Sequence, residues 1–367
     1  MADTSVSYKC PNCGAPLSFL PGHEKVTCQY CDTEFEVATI EEMFKAKNEL
    51  AARAEEAEQT KWKTEDAGSE WTDEESSGLR AFTCSSCGAE IVCDENTMAT
   101  ECVYCGNPTM LPKRFEGDLK PDFVIPFKKN KNDAVAALKE FYKGHYLLPN
   151  NFTANNRVEA IQPMYVPFWL FDSQIDAEAT FKAEKIHRHD TATEIVTETE
   201  VYNCKRRATM SFEKIPADGS KKMDNAYMDS IEPFNFSELE PFNTGYLTGY
   251  LADKYDVSAE ESSPRADLRV KNTAIEVLQG TVQNFDTCQL EDSAILKTVG
   301  NVIYAMVPVW ILTTRYEDKP YTFIMNGQTG KVVGSLPYDK TKAFLYPAFC
   351  TLVLVPIIYF IMKIILA

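Results

Sequence analysis

The stretch that decides the architecture runs from Cys84 to Cys105 and reads CSSCGAEIVCDENTMATECVYC. Its four outer cysteines follow the spacing C-x2-C-x14-C-x2-C. The same spacing stands nearer the N-terminus, where Cys10 to Cys31 reads CPNCGAPLSFLPGHEKVTCQYC. The motif is therefore duplicated: Cys10, Cys13, Cys28 and Cys31 form one copy, and Cys84, Cys87, Cys102 and Cys105 the other. A Cys-x-x-Cys turn brings two thiolates to one point, and two such turns complete a tetrahedron of soft ligands that suits zinc. Gly14 and Gly88 follow the second cysteine of each leading pair, where a tight knuckle favours glycine. Residues 15–19 and 25–27 of the first copy predict strands of a small hairpin. Each unit, roughly 30 residues long, is too small to fold on apolar burial alone, so the metal supplies much of its folding energy.

Disulfides are the competing use of paired cysteines. The start MADTSVSYKC has no apolar signal segment, and in a reduced cytosolic setting this spacing points to a metal site. Iron in a rubredoxin-like site is the alternative for the same sulfurs. A redox Cys-x-x-Cys needs a free thiolate, which a closed four-ligand site does not leave. The other four cysteines, Cys93, Cys204, Cys288 and Cys350, share no spacing and read as small hydrophobic residues.

A chain of 367 residues has room for two or three domains. Its formal net charge of -17 repels a phosphate backbone, which opposes nucleic-acid binding. The two cysteine units bring no basic patch: residues 7–39 set Lys9 and Lys25 against Glu24, Asp32, Glu34 and Glu36.

The C-terminus carries the second strong signal. From Phe344 the chain reads FLYPAFCTLVLVPIIYFIM, about 19 uncharged residues, enough to cross a bilayer as a helix. Lys340 and Lys342 precede it and favour a cytoplasmic N-terminal side. Tyr346 and Tyr359 stand near the two expected interfaces. A re-entrant hairpin bent at Pro356 and a buried core helix are the alternatives.

Between the cysteine units, residues 39–64 predict a solvated helix, with Thr39 and Glu42 as a capping box. Residues 64–78, TEDAGSEWTDEESSG, predict a flexible acidic linker, in which Trp71 stands out. Further on, Val166-Pro167-Phe168-Trp169 recurs as Val307-Pro308-Val309-Trp310, each preceded by a helical pattern, at 132–144 and 266–280. This predicts an internal repeat of helix, apolar strand and antiparallel strands. A proline inside each strand argues for an edge, a bulge or a strand start. Alternating segments such as 176–182, 193–199 and 208–212 fit an antiparallel sheet with one wet face.

Asn326-Gly327-Gln328-Thr329-Gly330-Lys331 is a hairpin turn rather than a phosphate loop, since Val332 occupies the position of a magnesium-binding Ser or Thr. His187 and His189 form an H-x-H pair for which the sequence names no further ligand, so a basic turn is the commoner meaning. No motif of a nucleophile, a zinc protease or a dinucleotide fold is present, and an enzyme is not expected.

The cysteine units individually resemble the zinc ribbons of transcription factor IIB. The ordered set of ribbon pair, V-P-x-W strands, N-G-Q-T-G-K hairpin and apolar C-terminus resembles the bacterial membrane-anchored TFIIB-type zinc-ribbon-containing proteins. The resemblance implies work beside SPFH (flotillin-like) and PspA-type membrane-stress proteins. The expected fold class is α+β: zinc ribbon 1 at 1–38, helix and acidic linker at 39–79, zinc ribbon 2 at 80–117, a duplicated antiparallel α+β domain at 118–340 and a transmembrane anchor at 341–367. The expected cofactor is Zn2+ in two structural sites of four cysteines each. The expected function is a membrane adaptor or scaffold that docks proteins at the cytoplasmic face of the cell membrane. The alternative is a membrane-tethered nucleic-acid-binding ribbon protein.

Overall fold

The computed structural model describes residues 62–365 except 100, 114, 116–118, 156–157, 191–193 and 318; before residue 62 it describes only 25–27, 34–36 and 39. The fold is mixed α+β. The chain divides into two compact units: 1–61, 173–212 and 270–300 form the first, and 62–172, 213–269 and 301–367 the second.

In the first unit, β1 (Lys25–Thr27) pairs antiparallel with β2 (Glu34–Glu36), with Val26 opposite Phe35. The rest of this unit comes from two long strands that continue beyond it, β7 (Gln162–Asp190) and β8 (Ile195–Asp218), from the C-terminal end of a helix and from the start of β11 (Thr287–Tyr316). Ile175, Ala177, Ala179, Phe181 and Ala183 are all buried, while the residues between them are only half-buried, so the period-two pattern marks a dry face at 175–183; residues 194–199, expected to alternate in the same way, are exposed throughout. The end of this unit is tied by side chains: Asp286 accepts from the Ile186 amide at 2.6 Å, and Arg206 Nε donates to Thr281 Oγ1 at 3.0 Å.

The second unit begins with the acidic stretch expected as a flexible linker. Instead it is folded. Trp62 is buried and donates to Asp267 Oδ1 at 3.0 Å; Ser69 and Lys120 form a bridge; Trp71 packs edge-on against Phe115 and Phe242. The short helix α1 (Asp73–Ser77) starts at a capping box between Thr72 and Glu75. Two indoles therefore outweigh the disorder-prone composition of their neighbours.

After β3 (Leu79–Cys84), β4 (Glu90–Asp94) and β5 (Met110–Lys113), short strands, helices and long strands follow one another. A short strand, β6 (Phe123–Val124), leads into α2 (Lys131–Tyr142) and, after α3 (Asn150–Asn155), into β7. Beyond β8 come α4 (Asn225–Ile231) and β9 (Glu240–Pro241). A second short strand, β10 (Leu251–Asp253), leads into α5 (Ala259–Gly280) and β11. The hairpin β12 (Lys319–Asn326) and β13 (Val332–Gly334) follows. The strand order is β13-β12-β11-β7-β10-β4-β3-β5. Two of the short strands lie parallel to long strands: β6 pairs with β11 at Ala305 and Met306, and β10 pairs with β7 at Met164 and Tyr165.

Pro167 and Pro308 sit inside long strands that are not at the sheet's edge, past the residues that pair with β10 and β6 and opposite a glycine just beyond the end of β8 or β12. The reason lies opposite each proline. The Gly327 amide donates to the Pro308 carbonyl at 2.8 Å, and the Gly327 carbonyl, which a residue with an N–H at 308 would satisfy, accepts from the Lys128 and Lys129 amides at 3.0 and 2.8 Å. Gly219 does the same for Pro167: its amide donates to Pro167 O at 2.9 Å and its carbonyl accepts from Asp256 and Val257 at 3.0 and 3.1 Å. The missing donor leaves no orphan acceptor, so the usual penalty does not arise. The two tryptophans complete the match: Trp169 Nε1 donates to Val257 O and Trp310 Nε1 to Lys129 O, both at 2.9 Å.

Candidate metal centre

Two knuckles build the site. The first joins β3 to β4, with Cys84 ending β3 and Cys87 in the turn. The Gly88 amide donates back to Cys84 O at 3.0 Å, and Gly88 has φ +70°. The second precedes β5: the Gly106 amide donates to Cys102 O at 2.8 Å, and Gly106 has φ +66°. Both turns close on a left-handed glycine, the conformation that side chains with a Cβ resist. Pairing of β3 with both β4 and β5 then holds the knuckles face to face.

The four sulfurs converge. Cys84 Sγ lies 3.6 Å from Cys105 Sγ, and Cys87 Sγ lies 3.6 Å from Cys102 Sγ. All four ligand atoms lie within 4.8 Å of one another. A tetrahedron with metal–sulfur bonds of about 2.3 Å has edges of about 3.8 Å, so the cage has the size of a zinc site. A disulfide needs about 2.05 Å, and all four cysteines are free thiols. Cys84 and Cys102 are buried and Cys87 and Cys105 half-buried, which shields the site on the protein side.

Electrostatics fit a cation. Burial alone would push the Cys84 thiol up, but the amides of Cys87 and Ser86 and the neighbouring thiols pull it down to about 6. Burial dominates at Cys87 and Cys102 and raises both thiols. A cluster that must hold several thiolates against burial and mutual repulsion gains most from a dication, which removes both penalties.

The centre is also tied into the second unit. β4 pairs antiparallel with β10, Val92 opposite Ala252, and β10 lies beside β7. Phe82, Ile91 and Cys93 belong to the same core cluster as Val166, Phe168, Val307 and Val309. Three distant side chains hold the knuckle carbonyls: Lys222 Nζ donates to Cys87 O at 2.8 Å, Thr313 Oγ1 to Val103 O at 2.7 Å, and Arg315 to Cys105 O at 3.4 Å. Behind the second knuckle Asp253 is buried, and burial pushes its carboxyl up to about 7.

A protein of Bacillus subtilis (strain 168), the uncharacterized protein YdjG, is 32% identical to this chain over 337 residues, covering 92% of each. The chain belongs to the YdjG family. No family model and no solved structure matches the chain.

Of the eight cysteines singled out by spacing in this YdjG-family chain, the structure brings together Cys84, Cys87, Cys102 and Cys105. Cys10, Cys13, Cys28 and Cys31 lie outside the described residues. Cys93 is fully buried, donates to Thr97 O, and is not part of the cage. Among the described residues, no other group of three His, Cys, Asp or Glu could hold a metal. His187 has Glu200 at 4.0 Å as its charged neighbour. The N-G-Q-T-G-K turn is a clasp. Asn326 Nδ2 donates to Ile231 O, its Oδ1 accepts from the Gln328 and Thr329 amides, and Gln328 pairs with Asn235 and Glu238. Its polar groups are engaged inside the fold, so it offers no cradle for phosphate.

Sequence reasoning missed Gly106, although Cys105-Gly106 repeats Cys87-Gly88 and could have been read. Lys222, Thr313 and Arg315 carry no local signal, since they stand 135 to 210 positions from the carbonyls they hold.

The other candidate feature is α6 (Lys340–Ile365), whose stretch Lys340–Lys363 is long and apolar enough to cross a membrane and is not buried by the protein. The helix runs through Pro347 and Pro356 without a break.

Proposed function

We propose that the protein is a non-enzymatic, zinc-stabilised adaptor held at the cell membrane by α6, with its large N-terminal part in the cytoplasm. The observation that supports this reading best is one chain that combines a closed cage of four sulfurs with an exposed apolar helix. Four protein ligands leave zinc no open position for water or substrate, so such a site serves folding rather than chemistry. Cys10, Cys13, Cys28 and Cys31 form the second four-cysteine zinc site in this reading. The knuckles of the C-terminal site are held by Lys222, Thr313 and Arg315, so the N-terminal ribbon is the one that docks partners. The resemblance to TFIIB-type zinc-ribbon proteins makes SPFH/flotillin-like and PspA-type proteins the partners of choice. The net charge of -17 supports a protein partner over nucleic acid.

The matched bonds around Pro167 and Pro308 support the reading of the central region as a duplicated α+β unit. Each copy would supply a short strand, a helix, a long V-P-x-W strand and a hairpin.

Two measurements test the reading. Metal analysis of the full chain should find two zinc ions, with Cys10→Ser removing one and sparing the fold. Cys102→Ser should remove the other and unfold the second unit, because structural zinc contributes on the order of 10 kcal/mol. Purification from native membranes in mild detergent should recover SPFH- or PspA-like partners, lost with Cys10→Ser. Metal-free protein with an unchanged fold, or a chain recovered alone, would count against it.

A further inference from the structure

The start of α6 is not an independent stalk. Asp339 Oδ1 caps the helix by accepting from the Thr341 and Lys342 amides at 2.8 and 3.1 Å. The Asp339 amide in turn donates to Leu147 O at 2.8 Å, and Lys342 Nζ donates to Leu148 O and Asn150 Oδ1 at 2.7 and 2.8 Å. The loop after α2, Gly144 to Leu148, is thereby fixed against the first turns of the helix.

Between that loop and the helix lies an open groove of about 610 Å³. Leu148, Leu336 and Pro337 line it from the body, and Tyr346, Pro347 and Cys350 from the helix. Among the described residues, no Asp, Glu, Lys or Arg lines it, and His145 is its one titratable imidazole. Its rim adds exposed large side chains to this apolar lining, with Tyr146 71% exposed, Tyr338 65% and Leu147 40%, and a contiguous patch of this kind marks an interaction surface. The Tyr146 and Tyr346 rings face each other at 6.0 Å.

Position identifies what covers this groove. Lys342 to Cys350 climbs about 12 Å along a helix, whereas the polar zone of one leaflet is only about 5–7 Å deep. The helix wall of the groove therefore starts among headgroups and ends in hydrocarbon, if α6 spans the bilayer. Tyrosines at that depth match an interfacial belt, and Lys340 and Lys342 at the helix start favour anionic headgroups. The volume lies within the range of small-molecule sites, which suits one acyl chain better than a protein segment.

We propose that the groove between Gly144–Leu148 and the first turns of α6 seats a phospholipid, and that Tyr146, Leu147 and Tyr338 rest the body on the leaflet surface. This rests on the reading of α6 as a membrane-spanning helix. It adds a second membrane contact, on the folded body itself.

The test uses the full chain in vesicles of phosphatidylcholine and phosphatidylglycerol, with and without bromine on the acyl chains. Tyr146→Trp puts a reporter on the rim, and Leu354→Trp puts one on the exposed middle of α6; of the four native tryptophans Trp62, Trp169 and Trp310 are buried and Trp71 half-buried, and the parent protein measured alongside supplies their common background. Bromine near the headgroup end should roughly halve the added Tyr146→Trp emission, as expected for an aromatic at the interface. Bromine deep in the chain should quench Leu354→Trp. Quenching of Leu354→Trp with none at Tyr146→Trp overturns the lipid seat and leaves the spanning helix standing. A Tyr146→Trp reporter shielded from both bromine and aqueous iodide means that protein covers the groove, which also overturns it. Failure of both reporters to quench removes the membrane reading and the seat with it. Zinc content and circular dichroism of each variant, unchanged from the parent, show that the fold is intact.

Discussion

Two turns of the central sheet have the same backbone and different chemistry. At one, Asp218-Gly219-Ser220 closes on Pro167; at the other, Asn326-Gly327-Gln328 closes on Pro308. Both glycines exchange the same three hydrogen bonds with a proline and with the two residues before a helix. Around Gly219 the lock is ionic: Arg265 bonds Asp218 and Asp229, and Arg269 bonds Asp229, Glu232 and the Pro216 carbonyl. Around Gly327 the innermost contacts are amides: Asn326 holds Ile231 O, and Gln328 holds both the amide and the carbonyl of Asn235. A backbone solution can thus be kept while the side-chain chemistry changes, provided each buried polar atom finds a partner.

The contrast can be broken most strongly at the ionic turn. Arg265→Met leaves Asp218, which is 4% exposed, without its cation. The expected loss is about 3–5 kcal/mol in denaturant melts, the scale for stranding a buried charge. Gln328→Leu at the other turn strands the neutral amide and carbonyl of Asn235 and removes one donor from Glu238, which keeps Lys128, and should cost about 1–3 kcal/mol. Equal losses would mean that the two turns are energetically alike.

Packing should reverse the order. A Cβ at Gly327 would meet the Phe127 ring at 2.8 Å and Pro308 Cβ at 2.9 Å, whereas one at Gly219 would meet Trp169 Nε1 at 3.1 Å and Tyr255 Cβ at 3.3 Å. Gly327→Ala should therefore cost about 1–3 kcal/mol by overpacking, and Gly219→Ala less. Thermal melts of the two variants, measured side by side, check the ranking.

The smallest expected effect concerns pH. Burial raises the carboxyls of Asp218 and Glu232, with Arg265 and Arg269 opposing it. A carboxyl raised by folding holds its proton more tightly in the folded state. That contribution is complete below the unfolded value, about pH 4, and fades as pH climbs through the folded value. Asp218→Asn should flatten the stability profile above about pH 4. A profile as steep as the parent's would assign the pH dependence to other groups.

These turns also show what sequence could and could not convey. The Cys84–Cys105 cage was legible because its ligands lie on two local turns of fixed spacing, and V-P-x-W was legible because it repeats. Asn326-Gly327 signals a hairpin by itself, but Asp218-Gly219 does not, since its meaning depends on Pro167 and Val257 far along the chain. The acidic stretch 64–78 misled for a related reason. Its composition says solvent, while the two residues that decide its placement, Trp62 and Trp71, act through distant partners at Asp267 and Phe242. The prolines misled because the rule against proline inside a non-edge strand concerns an unpaired carbonyl, and here other amides pair it.

The crossed pairing of β6 and β10 has a consequence for how the central region can be taken apart. β6, which precedes β8, lies beside β11, and β10, which follows β8, lies beside β7. A cut of the chain between β8 and β10 therefore leaves neither fragment closed, since each loses an edge that the other supplies. Two such fragments would have to find each other before either could settle, as two clasped hands hold only while both are present.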